Sequence, residues 1–159
     1  MSITPRERVL MALAHQQPDV TPWQIDLTIE ARQKVADYLG DPDFESKIGN
    51  HLAGCEDGYF TEIRPNFWQD QFGIVWNRTI DKDIGNVAEY LIPTPDLSSY
   101  RFPKPDLERN ARAYEQLIAQ HPHEFRFGGV GFSMFERAWT LRGMENLLAD
   151  MILNPKFVD

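Results

Sequence analysis

The chain has 159 residues, 42% hydrophobic and 12% aromatic, with a net charge of −8 and a single cysteine. This is a globular composition rather than a disordered one, and its acidic balance argues against a nucleic-acid partner, since phosphate binding needs clustered Lys and Arg. One cysteine excludes an internal disulfide, and no apolar run approaches the ~20 residues that cross a bilayer, so the expectation is a cytoplasmic protein with no membrane partner.

Thr4-Pro5-Arg6-Glu7 reads as a capping box with Pro at the first helical position, and predicts a helix to about His15, before Pro18. Val20 to Asp26 alternates in part and predicts a first strand. A helix follows from about Thr28 to Leu39, with Ile29, Val35, Ala36 and Leu39 expected to face inward and Gly40 to end it. Asp41-Pro42 recaps a short helix to about Gly49. Between Thr61 and Asp81, aromatic and β-branched residues crowd among turn residues and predict a β-hairpin. Four prolines between Ile92 and Asp106 predict an extended connection. Asp106 caps a long helix whose stripe is Leu107, Ala111, Tyr114, Leu117 and Ile118. Phe125 to Phe132 is the next strand, ending in glycines. A helix from about Ser133 to Arg142 breaks at Gly143, and Met144, Leu147, Leu148, Met151 and Ile152 form the face of another. Asn154-Pro155 starts a last turn. Alternating strands and helices predict an α/β fold with a parallel sheet.

Three segments carry a family resemblance. The opening Thr4 to His15 with Pro18-Asp19 and Val20-Thr21-Pro22 resembles the T-P-R-E-R helix, E-P-D link and first strand of the uroporphyrinogen decarboxylase superfamily. Asp70-Gln71-Phe72-Gly73-Ile74-Val75-Trp76 resembles its D-E-F/W-G-V-x-W element, and Gly131 to Met151 its G-x-x-x-x-x-x-x-x-L-x-G-x-E-x-x-L-x-D segment. The resemblance implies the N-terminal portion of a TIM (β/α)₈ barrel, with an N-terminal helix and a β-hairpin insertion, residues 1–159 forming part of one barrel domain.

The superfamily implies two chemistries. Decarboxylases hold tetrapyrrole carboxylates with arginines of an R-Q-A-G-R loop after the first strand, since a guanidinium fork matches a carboxylate. Here that region reads Trp23-Gln24-Ile25-Asp26-Leu27-Thr28, and Trp139 stands where decarboxylases carry tyrosine. Both departures favour the other branch, methyltransferases that use zinc and a corrinoid. The resemblance places the zinc ligands, a His-x-Cys pair and a distant Cys, in the later half of the barrel, so no metal and no cofactor are expected in this chain. Its parent would exchange methyl groups with a small molecule or a corrinoid protein. The isolated chain is expected to be inactive and to self-associate through open barrel edges. A tetrapyrrole carboxy-lyase and a non-catalytic, partner-binding half barrel are the alternatives.

The candidate pocket residues each have a plainer reading. Asp70 lines a pocket or bonds its own turn. Trp23 and Trp76 floor a flat ligand or fill the core. Asp26 stands at a strand end, where barrel enzymes place active groups, or caps the next helix. Glu136, with Arg137, faces a barrel mouth or is helix surface. Trp139 marks the position of the decarboxylase tyrosine. Gly128-Gly129-x-Gly131 lacks phosphate-loop spacing and is expected to allow close backbone approach. His51 and Cys55, at i and i+4, would lack further metal ligands even on a helix, and Cys55 is expected to be a small buried apolar residue.

Overall fold

The computed structural model describes residues 3–159. In chain order the elements are α1 (Pro5–Leu13), α2 (Ile29–Leu39), α3 (Glu45–Ile48), β1 (Leu52–Asp57), β2 (Phe60–Arg64), β3 (Phe67–Asp70), β4 (Val75–Asn77), β5 (Asn86–Val87), α4 (Leu107–Gln120), β6 (Phe125–Val130), α5 (Phe135–Arg142), α6 (Met144–Leu153) and α7 (Pro155–Val158). They form a mixed α/β structure with one parallel pair, β1–β6, and one antiparallel sheet, β2–β3–β4–β5. No closed barrel is present among the described residues. No described helix is long and apolar enough to cross a membrane. The chain divides into two compact units: residues up to Asp57 with Asp106–Gly129, and Gly58–Pro105 with Val130–Asp159.

In the first unit the capping box forms as the sequence dictates. The Glu7 N–H donates to Thr4 Oγ1 at 3.2 Å, and the Thr4 N–H donates to Glu7 Oε2 at 2.7 Å. Arg8 forks onto Asp19 at 2.7 and 2.9 Å, and this guanidinium holds the Asp19 carboxyl down at about 2. The predicted strand at Val20 to Asp26 is not formed. Pro22 removes a ladder donor within it, and the segment is pinned instead by the Asn50 side chain and one backbone bond. The Ile25 N–H donates to Asn50 Oδ1 at 3.0 Å, Asn50 Nδ2 donates to the Ile25 carbonyl at 3.1 Å, and the His51 N–H donates to the Trp23 carbonyl at 3.0 Å. Thr28 caps α2 through the Ala31 N–H, and Gly40 ends it in the left-handed region at φ +63°. Its apolar stripe is only half covered: Val35 and Ala36 are partly buried, while Ile29 and Leu39 are 49% and 54% exposed.

β1 falls where the sequence predicted no strand, because Ala53, Gly54 and Cys55 give no β-branched signal. His51 and Cys55 are therefore not on a helix, and Cys55 is only partly buried. Helix α4 packs on β1, making a β–α–β crossover. The glycines show which face is which. A Cβ on Gly128 would meet the Tyr114 hydroxyl of α4 at 2.9 Å, whereas one on Gly54 would meet the Phe127 ring at 2.6 Å. Gly128 thus faces the helix, and Phe127 lies across Gly54 on the opposite face, where it stays 43% exposed. No further strand joins either edge of the pair among the described residues.

In the second unit the predicted hairpin is a four-strand meander. Trp68 pairs with Trp76 across β3–β4, and Trp76 with Val87 across β4–β5. The proline-rich stretch after Ile92 is extended, as expected. Ile74, Trp76, Ile92 and Leu141 form the core, and Phe72, Tyr100, Phe132 and Phe157 close around it. On α6 the predicted apolar face is only partly used. Leu147 is buried, Leu148, Met151 and Ile152 are exposed, and the helix buries Asp150 instead.

Candidate functional site

The most highly connected polar group in the second unit is Asp70, at the end of β3. A turn closes there, with the Gly73 N–H donating to the Asp70 carbonyl at 2.9 Å and Gly73 at φ +85°. The Asp70 carboxylate turns back over this turn. Its Oδ1 accepts from the Phe72 and Ile74 N–H groups at 2.9 and 3.0 Å. Its Oδ2 accepts from the Trp76 indole N–H at 3.2 Å and from Arg137 Nη1 at 2.7 Å. The turn-residue reading of Asp70 therefore describes half of what it does. The other half is a partly buried ion pair to a helix 67 residues further along the chain.

Arg137 is held on several sides. Its Nε donates to the Phe132 carbonyl at 3.1 Å, and its guanidinium carbon stands 4.0 Å from the centre of the Phe72 ring. The loop it grips is strained: Phe132 has φ +47°, and Met134 has φ +47° with ψ −111°, a region that L side chains rarely enter. Phe132 is fixed by packing on Trp76, with ring centroids 5.0 Å apart. Met134 is 90% exposed, so nothing in its packing offsets the strain. Met134→Gly is accordingly expected to stabilise the protein by about 1 kcal/mol, the released strain exceeding the entropy cost of glycine. Urea unfolding of the two proteins measures it.

Beside Arg137 lies a cavity of about 250 Å³ in the second unit, with Leu97, Ala138, Leu141, Leu147 and Phe157 among its walls and Arg142 among its polar lining. Arg142 is itself locked. Its Nε donates to Asp150 Oδ2 at 2.7 Å, and its Nη1 donates to the Ile92 and Pro93 carbonyls at 3.3 and 2.7 Å. The Arg142 hydrogen bond, with help from Asn154, lowers the Asp150 carboxyl below its ordinary range.

No family model, curated protein or solved structure matches the chain.

The other candidate residues are scattered. Trp76 is 1% exposed and is core, so it cannot floor a ligand by stacking. Glu136 is exposed on α5, and Trp139 is partly buried but does not line the cavity. Trp23 and Asp26 belong to the first unit. Asp26 is exposed and accepts from Gln24 Nε2 at 2.8 Å; it does not cap α2, since Thr28 does. It lies in a polar cleft of about 340 Å³ with Glu45, Asn50, His121 and Glu124, beside the N-terminal ends of β1 and β6. Barrel enzymes place their chemistry at the opposite, carboxyl ends.

His51 carries a signal that the sequence reading missed. It is 1% exposed and packs edge-to-face on Trp23 at 4.2 Å. Its Nδ1 accepts from the Trp23 N–H at 3.5 Å, so the neutral ring carries its proton on Nε2, which has no partner. Burial, then the nearby Arg8 charge, lowers its pKa, with Asp19 opposing. Below its ordinary value of 6.5, the unfolded chain therefore binds a proton that the folded chain resists. Stability should be level above neutral pH and fall as the pH drops below 6.5. Denaturant midpoints followed by tryptophan fluorescence check this, with His51→Gln flattening that part of the profile.

No group of three or more His, Cys, Asp or Glu among the described residues is placed to hold a metal.

Proposed function

We propose that this chain is the N-terminal part of a uroporphyrinogen-decarboxylase-like barrel enzyme, of the branch that transfers methyl groups between a corrinoid and an acceptor. The observation that carries the reading is the β1–α4–β6 crossover: two parallel strands, a helix on one face, and the other face left open around Phe127. Such a strand–helix–strand unit fits a (β/α)₈ barrel, whose parallel strands are normally buried on both faces, with the four-strand sheet inserted between β1 and α4.

The resembling segments support the fold half of the proposal by what they do. The Thr4–Glu7 box caps α1, Asp70 and Trp76 are bonded to each other, and Asp150 and Asn154 brace Arg142. Each is a structural fastening. The chemical half rests on arginines. Arg8 forks onto Asp19 and Arg142 is tied to Asp150 and two carbonyls, while Arg137, paired with Asp70, keeps a single Nη2 edge, too little to hold the several carboxylates of a porphyrinogen. Asp26, Glu45 and Glu124 make the cleft of the first unit repulsive to such a polyanion. Zinc, when bound in the proposed parent, would activate a thiol acceptor. Its ligands would come from strands outside this chain.

The coding sequence beyond Asp159 tests the proposal. A continuation with further β/α units, a His-x-Cys pair and a later Cys is expected. A continuation without those ligands, accompanied by porphyrinogen decarboxylation in the purified product, would overturn the methyl-transfer reading.

A further inference from the structure

The cavity beside Arg137 combines apolar walls with a fixed cation that retains a donor. Arg137 uses Nε on the Phe132 carbonyl and Nη1 on Asp70, while the Phe72 ring holds the guanidinium plane. Its Nη2 has no bond to any described residue, and it is not among the polar atoms sealed from solvent. Arg137 is also the more accessible of the two cavity arginines, at 14% side-chain exposure against 8% for Arg142, whose Nη1 is tied to two carbonyls. Arg137 thus stands at the wetter part of the cavity. The walls at Leu141, Leu147 and Phe157 offer no polar side chain to a ligand.

We infer that this cavity binds a small amphipathic monocarboxylate, its head on the Nη2 edge of Arg137 and its apolar tail against Leu141, Leu147 and Phe157. A charged group keeps its hydration best at the mouth, and an apolar tail gains most from the dry walls. The head is a single carboxylate, because Asp70 and Asp150 already neutralise both arginines and leave no net field to draw a polyanion. The size follows from the volume: 250 Å³ is about eight water volumes at ~30 Å³ each, which suits a chain of octanoate length. The site lies within one compact unit and does not depend on the barrel proposal.

Isothermal titration of the full chain with octanoate tests this, with octanol as the uncharged control. Octanoate is expected to bind at one site with a Kd of about 1 mM or tighter, and octanol about tenfold more weakly. Ala138→Phe fills the cavity from α5 and should weaken octanoate by about tenfold or more with the thermal midpoint held. If that variant unfolds, Val158→Trp, which lines the cavity from α7, takes its place with the same expected loss. Three results would overturn the inference: no saturable octanoate binding, octanol binding as tightly as octanoate, or full octanoate affinity in a folded, cavity-filled variant.

Discussion

Replacing Asp70 with alanine is expected to lower the unfolding free energy by about 3–5 kcal/mol, the cost of leaving a buried charge without its partner. The loss has three parts on one carboxylate. Arg137 is stranded at 14% side-chain exposure, the Phe72 and Ile74 N–H groups lose their acceptor, and the Trp76 indole N–H is left bare in the core. Asp70→Asn should cost less, because the amide oxygen still accepts from the turn. The Asp70→Ala/Arg137→Ala double variant should fall well short of the sum of its single changes, since removing both partners leaves no orphan charge. Guanidinium unfolding of the four proteins gives the cycle. Equal, additive losses would mean that the pair is only spatially adjacent.

Trp76→Ala should be comparably severe, at about 3–5 kcal/mol, for a different reason. The indole is 1% exposed, packs on Phe132 at 5.0 Å and Phe60 at 6.2 Å, and contributes to the core with Ile74, Ile92 and Leu141. Truncation opens a cavity where three strands and a helix converge. Trp76→Phe keeps much of that volume and loses mainly the bond to Asp70, so it should cost about 1–2 kcal/mol. Near-ultraviolet circular dichroism would register both, since the aromatic cluster around Trp76 gives the second unit its fixed asymmetric environment.

These two residues show how far the sequence could be read. The elements whose ends carry local chemistry were legible: the Thr4–Glu7 box, Gly40 after α2, Asp106 before α4 and Gly143 between α5 and α6 each act within a few residues of themselves. Asp70 and Trp76 were visible as a pair in a D-x-F-G-x-x-W segment, but their purpose was not, because it depends on Arg137. A six-residue spacing on one strand–turn–strand places Asp70 and Trp76 together locally; nothing local announces a partner on α5. The sequence left Glu136 and Arg137 open between a barrel mouth and the helix surface; Glu136 is exposed, and Arg137 is bonded to Asp70. β1 was missed because glycine and alanine hide a strand whose partner is distant, and Val20–Asp26 was misread because side-chain bonds from Asn50 replace a ladder there. The stripes of α2 and α6 were correct as patterns and are only partly buried. Ile29, Leu39, Met151 and Ile152 remain exposed.

The same open surfaces give the central claim its test. A parallel pair joined by no further strand among the described residues, with Phe127 exposed beside it, is a surface for another strand or another copy. Light scattering across a concentration series, on the purified chain, reads this directly. The barrel-piece account predicts a mass above 18.4 kDa that rises with concentration. A stable species of 18.4 kDa throughout, with slow amide exchange along both β1 and β6, would contradict it.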